Sequence, residues 1–587
     1  MAELNPGSAD RMPSMANGAR TLLATALALF AIYATVFVVD PLFYRASFLL
    51  VALVLTFVLY PARAKGTRGS KTDVALAVLA VVALGWPIID IASFPYRAAV
   101  PTWTDLTLGT LAILLILEAT RRTVGWILPA TALAFILYAY LGPLFDLVGL
   151  DAIAHRGYYI DRLIGTMYMT LDGVFGTPLD VAATYIILFS IFGAVLEHTG
   201  AGKFFIDWAL ALMRGGRSGA AAGRAVTLAG FLLGTVSGSG VATTVTLGSV
   251  SWPLLKRSGY PPEVGGAVLS AAGIGAILSP PTMGAAAFLI AEFLKIPFFD
   301  VLLMSIVPAL LYYLSAFMMV EFDARRLGTR AVEAETKSAA TLAAAGWFYF
   351  LPLVAIVAFM ALGFTPFRAV LWATVLAALA SYLDRANALT PSRAAQALAS
   401  GARATLPVAA TTATAGIIVG MVTLTGLGLR VSGIVVDVAG GNVALTVLFA
   451  AIAVWMLGLA VPVTASYIIA AVMVAPALTS VGIPDVAAHM FIFYYAVLSE
   501  VTPPTALSPF AAAAITGGNP YRTMMLTWKY ALPAFVVPFV FTLLPGGTGI
   551  LLKAPATDVL WSTSVAAGIV VAAAFALGAR RAPSGEN

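Results

Sequence analysis

The chain reads as an all-α membrane protein with about 14 transmembrane helices plus two re-entrant hairpins, arranged as an inverted repeat. Composition gives the first indication. Of 587 residues, 61% are hydrophobic and 10% charged, and mean hydropathy is +0.96. Soluble domains carry roughly 25% charged residues, and no water-soluble fold could bury this much apolar surface. The second indication is that apolar runs of spanning length recur along the whole chain. The third is a set of prolines and glycines that repeats at a constant offset.

The same composition excludes a soluble enzyme, a nucleic-acid binder and a secreted disulfide scaffold. The chain has no cysteine, so disulfides, thiol catalysis and thiolate metal sites are absent. The histidines are His155, His198 and His489, and no metal-binding spacing joins them. The net charge of +6 fits membrane topology better than nucleic-acid affinity.

Residues 1–19 are polar and read as a cytoplasmic tail. The run at 21–39 is longer than a secretory h-region and is expected to stay as an uncleaved first helix. Runs at 46–61, 74–92, 106–120 and 123–141 complete an N-terminal block, 20–150. Their connectors alternate in charge. The 62–73 stretch carries Arg63, Lys65, Arg68 and Lys71, and the corner after 120 carries Arg121 and Arg122. The positive-inside rule puts these connectors and the amino terminus in the cytoplasm. Further crossings fit near 181–198, 263–295, 299–322, 345–364, 366–384, 404–421, 485–517, 522–544 and 559–580. The basic clusters Arg214/Arg217/Arg224, Lys256/Arg257, Arg325/Arg326/Arg330, Arg385/Arg393/Arg403, Arg522 and Arg580/Arg581 then share the cytoplasmic side, provided 221–257 enters and leaves by one face.

An ungapped offset of 223 residues maps Pro253, Pro261, Pro280, Pro281 and Pro297 onto Pro476, Pro484, Pro503, Pro504 and Pro520. Gly193, Gly259 and Thr282 map onto Gly416, Gly482 and Thr505. This divides the chain into a first copy, 151–344, with hairpin 221–257, and a second, 345–545, with hairpin 442–480. A terminal helix and tail, 546–587, follow. An odd number of crossings between equivalent points turns the second copy upside down. The stretches 203–213 and 428–438, the first containing Lys203-Phe204-Phe205-Ile206-Asp207-Trp208, read as interfacial helices ahead of each hairpin.

Each copy offers two breaks. One is a hairpin tip, Ser237-Gly238-Ser239-Gly240 or its counterpart Ala460-Val461-Pro462-Val463-Thr464. The other is a diproline tetrad, Ser279-Pro280-Pro281-Thr282 or Thr502-Pro503-Pro504-Thr505. A Pro-Pro pair removes two N–H donors and forbids a continuous helix. Carbonyls freed at bilayer depth need a partner, and a desolvated Na⁺ suits them. The expected ion ligands are Ser237, Gly238, Ser239, Ser279, Pro280, Thr282, Thr464, Thr502, Pro503 and Thr505. Half-helix amino ends carry partial positive charge and favour an anionic substrate; Ser239, Gly240, Thr243, Thr464, Ser466 and Thr505 are the expected contacts. Glu500 stands where the first copy has Ile277, and it is the candidate proton carrier. Glu292 is expected to be solvated, Glu197 and His198 to be structural, and Lys529 to snorkel or meet a substrate carboxylate.

With these residues in view, the chain resembles the membrane component of a tripartite ATP-independent periplasmic (TRAP) transporter of the TAXI type, in which small and large permease subunits are fused. The likeness covers about 20–580. It is carried by Leu117-Glu118-Ala119-Thr120-Arg121-Arg122-Thr123-Val124-Gly125, by Gly234-Thr235-Val236-Ser237-Gly238-Ser239-Gly240-Val241-Ala242-Thr243, and by both PPT tetrads. The resemblance implies an elevator-type transporter in a bacterial inner membrane, with the N-terminal helices as the small-subunit-like part of a scaffold. It implies a periplasmic substrate-binding protein as partner and a small organic acid as cargo: a dicarboxylate, a 2-oxoacid or glutamate. It also implies Na⁺ or H⁺ as coupling ion and no other cofactor. Oligomeric state stays open, a monomer included. A family arginine that anchors carboxylates in sialic-acid members has no counterpart that can be placed here.

The nearest rival is a stand-alone Na⁺/dicarboxylate symporter of related elevator fold. The extra N-terminal helices weigh against it. An ion channel lacks support because no filter-like repeat is present. A membrane enzyme would need a nucleophile–base or metal constellation, and an ATP-driven pump a GxxxxGK[ST] loop. The sequence contains neither.

Overall fold

The computed structural model describes residues 14–62, 71–213, 220–330, 338–459, 461–504 and 506–578. Thr505, Ala460, Arg63, Lys65, Arg68, Arg214, Arg217, Arg580 and Arg581, together with most of the amino-terminal tail, lie outside the described residues. The described residues are helical, with no β-strand among them. Among the described residues ten helices are long and apolar enough to span a bilayer, and the pair Ala339–Tyr349 and Leu351–Ala361, bent by 53° at its break, counts as an eleventh when taken as one span. Three of the expected crossings are not long helices. Ile127–Tyr140 is short, and the two runs that contain diprolines are each split in two.

The chain divides into two compact bodies: Met1–His198 with Val370–Ile434, and Thr199–Ala369 with Val435–Asn587. In the first body, the 35-residue helix Pro391–Thr425 packs against Ser14–Val36, Trp103–Val124, Ile127–Tyr140 and Ile187–His198. Small residues allow the close approach: Gly401 lies on Ile191, and Gly420 on Asp172. Thr120 hydrogen-bonds Thr414 at 2.7 Å and Ala410 O at 3.0 Å, joining segments 294 residues apart.

The second body holds both hairpins and both diproline corners. Hairpin 1 is Ala221–Ser237 followed by Gly240–Arg257, and hairpin 2 is Val443–Gly458 followed by Val463–Met473. The expected helix at 203–213 is present as Ala201–Leu212. Its aromatic face is packed within this body: Phe204 stacks on Tyr349 at 4.9 Å between centroids, and Phe205 and Trp208 meet Phe350 edge-on.

Candidate functional site

At the first diproline corner, one half-helix, Pro262–Ile274, ends in a 3₁₀ turn, Gly275–Ile277, and another, Ala285–Leu294, begins eight residues after it. At the second, Asp485–Ser499 ends and Leu507–Thr516 begins. The Pro280–Pro281 and Pro503–Pro504 bonds are cis. Both broken spans therefore fall where the proline pairs predict.

Hairpin 1 encloses the half-helix before its corner. Along the inbound arm, Gly230 lies on Ala272 and Gly234 on Ala276, one turn apart on each side. Along the outbound arm, Gly273 abuts Thr244, Gly248 meets Leu269, and Gly265 lies under Trp252. The inbound arm steps in the same direction as the half-helix and so packs parallel to it, while the outbound arm steps in the opposite direction and packs antiparallel. The tip thus rests on the corner. Thr282 Oγ1 donates to Gly234 O at 3.1 Å, and Ser279 Oγ donates to Gly275 O at 2.8 Å. Gly238 has φ +59°, and the Met283 carbonyl lies where its side chain would project. Only glycine meets both demands.

Of the residues expected at this tip, Ser239 is exposed and caps Gly240–Arg257, its Oγ accepting from Ala242 N at 3.4 Å. Ser237 is half-buried at the end of the inbound arm, and Pro280 is half-buried at the corner. Thr243 and Thr244 are fully buried, and neither hydroxyl has a hydrogen-bond partner. A buried hydroxyl left unpaired costs on the order of 1–3 kcal/mol.

The second copy repeats the plan with different side chains. Gly458, at the end of the inbound arm, lies against Ser499 and close to Ser466. Ser466 is fully buried and its hydroxyl is unpartnered, while Thr464 is half-buried at the second position of the outbound helix. Thr502 Oγ1 donates to Leu498 O at 2.7 Å, and Glu500 accepts from Ser508 Oγ at 3.2 Å across the corner. The two copies interlock. Ala285–Leu294 packs on Val463–Met473 and Asp485–Ser499, and Leu507–Thr516 packs on Gly240–Arg257 and Pro262–Ile274. The structure thus brings Ser237, Gly238, Ser239 and Gly240 together with Ser279, Pro280 and Thr282 in one set. Ser466 and Ser499, with Glu500 and Ser508, form a second set in the same body.

Residues 111–546 match the family model of the tripartite ATP-independent periplasmic transporter, DctM component. The chain belongs to this family. It is 25% identical over 350 residues to a Haemophilus influenzae protein that bears the name of a TRAP transporter large permease, covering 58% of this chain and 81% of that one. It is 36% identical over 95 residues to the C4-dicarboxylate TRAP transporter large permease protein DctM of Rhodobacter capsulatus, covering 16% and 21% respectively. The Alcanivorax borkumensis YdaH transporter is similar at 14% identity and a TM-score of 0.48, covering 74% of this chain and 99% of that one. The protein is accordingly a multi-pass membrane transporter and a TRAP permease.

In this permease Lys529 has a different role from either one expected. Its Nζ lies 3.1 Å from Asp323 Oδ1, and Tyr530 donates to Asp323 Oδ2 at 2.8 Å. Asp323 is a buried acid, and an unpaired charge there would be costly; its partner is therefore held inside the protein instead of reaching toward headgroups. Sequence reading passed over Asp323 because the neighbouring Arg325 and Arg326 drew attention to topology. It also passed over Tyr467 and His489, which bond at 2.8 Å on facing helices of the second copy. Glu292 is partly exposed and lies 3.6 Å from Lys295. His198 is structural: its Nδ1 bonds Ala194 O at 2.8 Å, and its carbonyl accepts from Arg393 at 2.7 Å.

The Glu118–Gly125 stretch, which carries much of the family likeness, proves to be a knot in the first body. Arg122 is almost fully buried. It pairs with Asp73 at 2.8 Å and Glu118 at 2.7 Å, and it donates to Tyr60 O at 2.9 Å. One guanidinium thereby ties together three helix ends.

Proposed function

We propose that this permease carries out ion-coupled uptake of a small organic acid, a dicarboxylate, 2-oxoacid or glutamate-like compound, delivered by a periplasmic substrate-binding protein. The observation that carries this reading is the pair of diproline corners, each seated against a hairpin in one compact body. Broken helices at bilayer depth leave carbonyls and helix ends that an ion and its cargo can satisfy. Na⁺ is the first candidate coupling ion. Ser237, Gly238, Ser239, Ser279, Pro280 and Thr282 would ligate it on one side, and Thr464, Thr502, Pro503 and Thr505 on the other. The substrate carboxylate would meet Ser239, Gly240, Thr243, Thr464, Ser466 and Thr505. The unpartnered hydroxyls of Thr243 and Ser466 support that assignment. Glu500 would carry a proton if uptake is proton-linked.

The two compact bodies support an elevator mechanism, in which the hairpin-bearing body moves as the carrier. The 110 residues ahead of the family match support a fused small subunit. The membrane would be the bacterial inner membrane, with both termini cytoplasmic.

Reconstitution tests the reading. Proteoliposomes containing the permease are supplied with labelled acids, a periplasmic binding protein from the same genome, and an imposed Na⁺ or proton gradient. Uptake should require both the binding protein and one of the gradients. Robust uptake by the permease alone would mark a stand-alone symporter.

A further inference from the structure

We propose that the outbound arm of hairpin 1, Gly240–Arg257, is a gate that lifts off the half-helix Pro262–Ile274, while the outbound arm of hairpin 2 is latched shut by Tyr467 and His489. The 223-residue offset makes the two seams directly comparable. Thr244, Gly266, Ser270 and Thr516 at the first correspond to Tyr467, His489, Phe493 and Phe293 at the second.

The first seam is smooth and unbonded. Thr244, Gly248 and Ser251 recur at helical spacing on the arm, and Gly266, Ser270 and Gly273 do so on the half-helix. Thr244 abuts Gly273, and Gly248 meets Leu269. Thr244, Ser251 and Ser270 are fully buried, and none of their hydroxyls has a hydrogen-bond partner. Each unmet hydroxyl weakens the closed arrangement. The bond from Thr282 reaches Gly234 on the inbound arm, so it does not hold the outbound one. The opposite face of the outbound arm is exposed at Ala242, Val245, Ser249 and Val250.

The second seam is filled and bonded. Tyr467 Oη lies 2.8 Å from His489 Nδ1 across the contact. Phe293 flanks both rings at 6.0 and 6.3 Å between centroids, and Phe493 meets Tyr467 edge-on at 6.5 Å. Every residue of 463–471 except Thr464 is buried. Lifting this arm would break a hydrogen bond and expose a cluster of rings. Lifting the arm of hairpin 1 exposes small side chains and gives three unmet hydroxyls access to water. Local opening is easiest where buried apolar contacts are fewest. The opening would also uncover Thr243, a candidate cargo contact. That the motion admits cargo rests on the transport reading; the motion itself does not.

The chain has no cysteine, so single cysteines can be read without background. Ser270→Cys places a thiol under the arm of hairpin 1, and Ser466→Cys and Ser499→Cys place one at the contact of hairpin 2; all three serines are buried. Each variant of the purified full-length permease is treated, without substrate, with a water-soluble methanethiosulfonate, and adduct formation is followed by intact mass. Ser270→Cys should react on the order of ten-fold faster than the other two. Adding Tyr467→Phe should speed Ser466→Cys on the order of five-fold and leave Ser270→Cys unchanged. If Ser270→Cys fails to fold, Ser251→Cys takes its place. The gate is overturned if the thiol at hairpin 1 reacts no faster than those at hairpin 2, an absence of reaction at every site included. The latch is overturned if Tyr467→Phe leaves Ser466→Cys unchanged or speeds both positions alike. The expected pattern in a permease that takes up no acid would overturn the transport reading alone; uptake without the pattern would overturn this proposal alone.

Discussion

At the first diproline corner Thr282 reaches back to Gly234 of hairpin 1, while at the second the hydroxyls of Ser499 and Thr502 bond within their own helix and Ser508 turns to Glu500. The backbone plan is the same: a half-helix, a cis diproline, a second half-helix and a hairpin closed against the first. The side chains differ. The first corner is braced to its hairpin through neutral groups, and the second carries a carboxylate where the first has Ile277. A duplicated fold can therefore keep two equivalent breaks while placing the titratable group at only one of them. Coupling chemistry need not be symmetric even where the architecture is.

Overpacking the hairpin seams should have the largest effect. Gly234→Val and Gly458→Val each push a side chain into the facing half-helix, at a cost of about 1–3 kcal/mol. Both should lower the melting temperature and abolish ion-dependent uptake. If either variant behaves like the wild type, the tight hairpin–corner contact in that copy is wrong.

Thr282→Val should separate the two corners. It removes the bond to hairpin 1 and leaves the Gly234 carbonyl with only its bond from Gly238 N, at a cost of about 1 kcal/mol. Thr502→Val loses only a bond within its own helix and should be milder. Equal losses of stability in thermal melts would show that the Thr282 bond to hairpin 1 is worth no more than a bond within one helix.

Glu500→Gln should change the pH dependence of uptake, and Ser279→Ala at the first corner should not. Superimposable pH profiles for wild type and Glu500→Gln would remove that carboxylate from coupling.

A smaller effect serves as a control away from both corners. His155 lies in a loop of the first body. Its Nδ1 accepts from Gly157 N at 3.1 Å, and Nε2 faces Tyr138 O at 3.0 Å. This arrangement fits a neutral ring with its proton on Nε2. Burial, with a smaller contribution from Arg430, holds the ring below the usual imidazole range. A depressed histidine stabilises the fold above its unfolded pKa of about 6.5 and loses that contribution as pH falls through the folded value. Protection factors across 150–160, with exchange rates corrected for their intrinsic pH dependence, should therefore fall between pH 7.5 and pH 5, and His155→Asn should flatten the response.

Much of the architecture was legible in the sequence because its determinants are local. Proline pairs break helices wherever they occur, so both split spans fell at the expected positions, and Gly238 marked a turn that its backbone requires. The grouping into compact bodies was not legible. It depends on long-range packing, such as that of Pro391–Thr425 against the N-terminal helices through Thr120 and Thr414. Buried charge pairs were hidden for a similar reason. Lys529 looked like a snorkelling side chain because Asp323 lies 206 residues away in the chain. Arg121 and Arg122 looked like topology signals, whereas Arg122 is consumed in a buried network with Asp73 and Glu118.

Equilibrium ²²Na⁺ binding to the purified permease tests the central claim most directly, with wild type, Ser237→Ala and Thr502→Val compared at one pH. Saturable binding to the wild type that weakens on the order of five-fold in each variant is the predicted result, since each loses one oxygen worth about 1 kcal/mol. A wild type with no saturable Na⁺ binding, or two variants with the wild-type isotherm, would contradict a cation site built from the two broken-helix units.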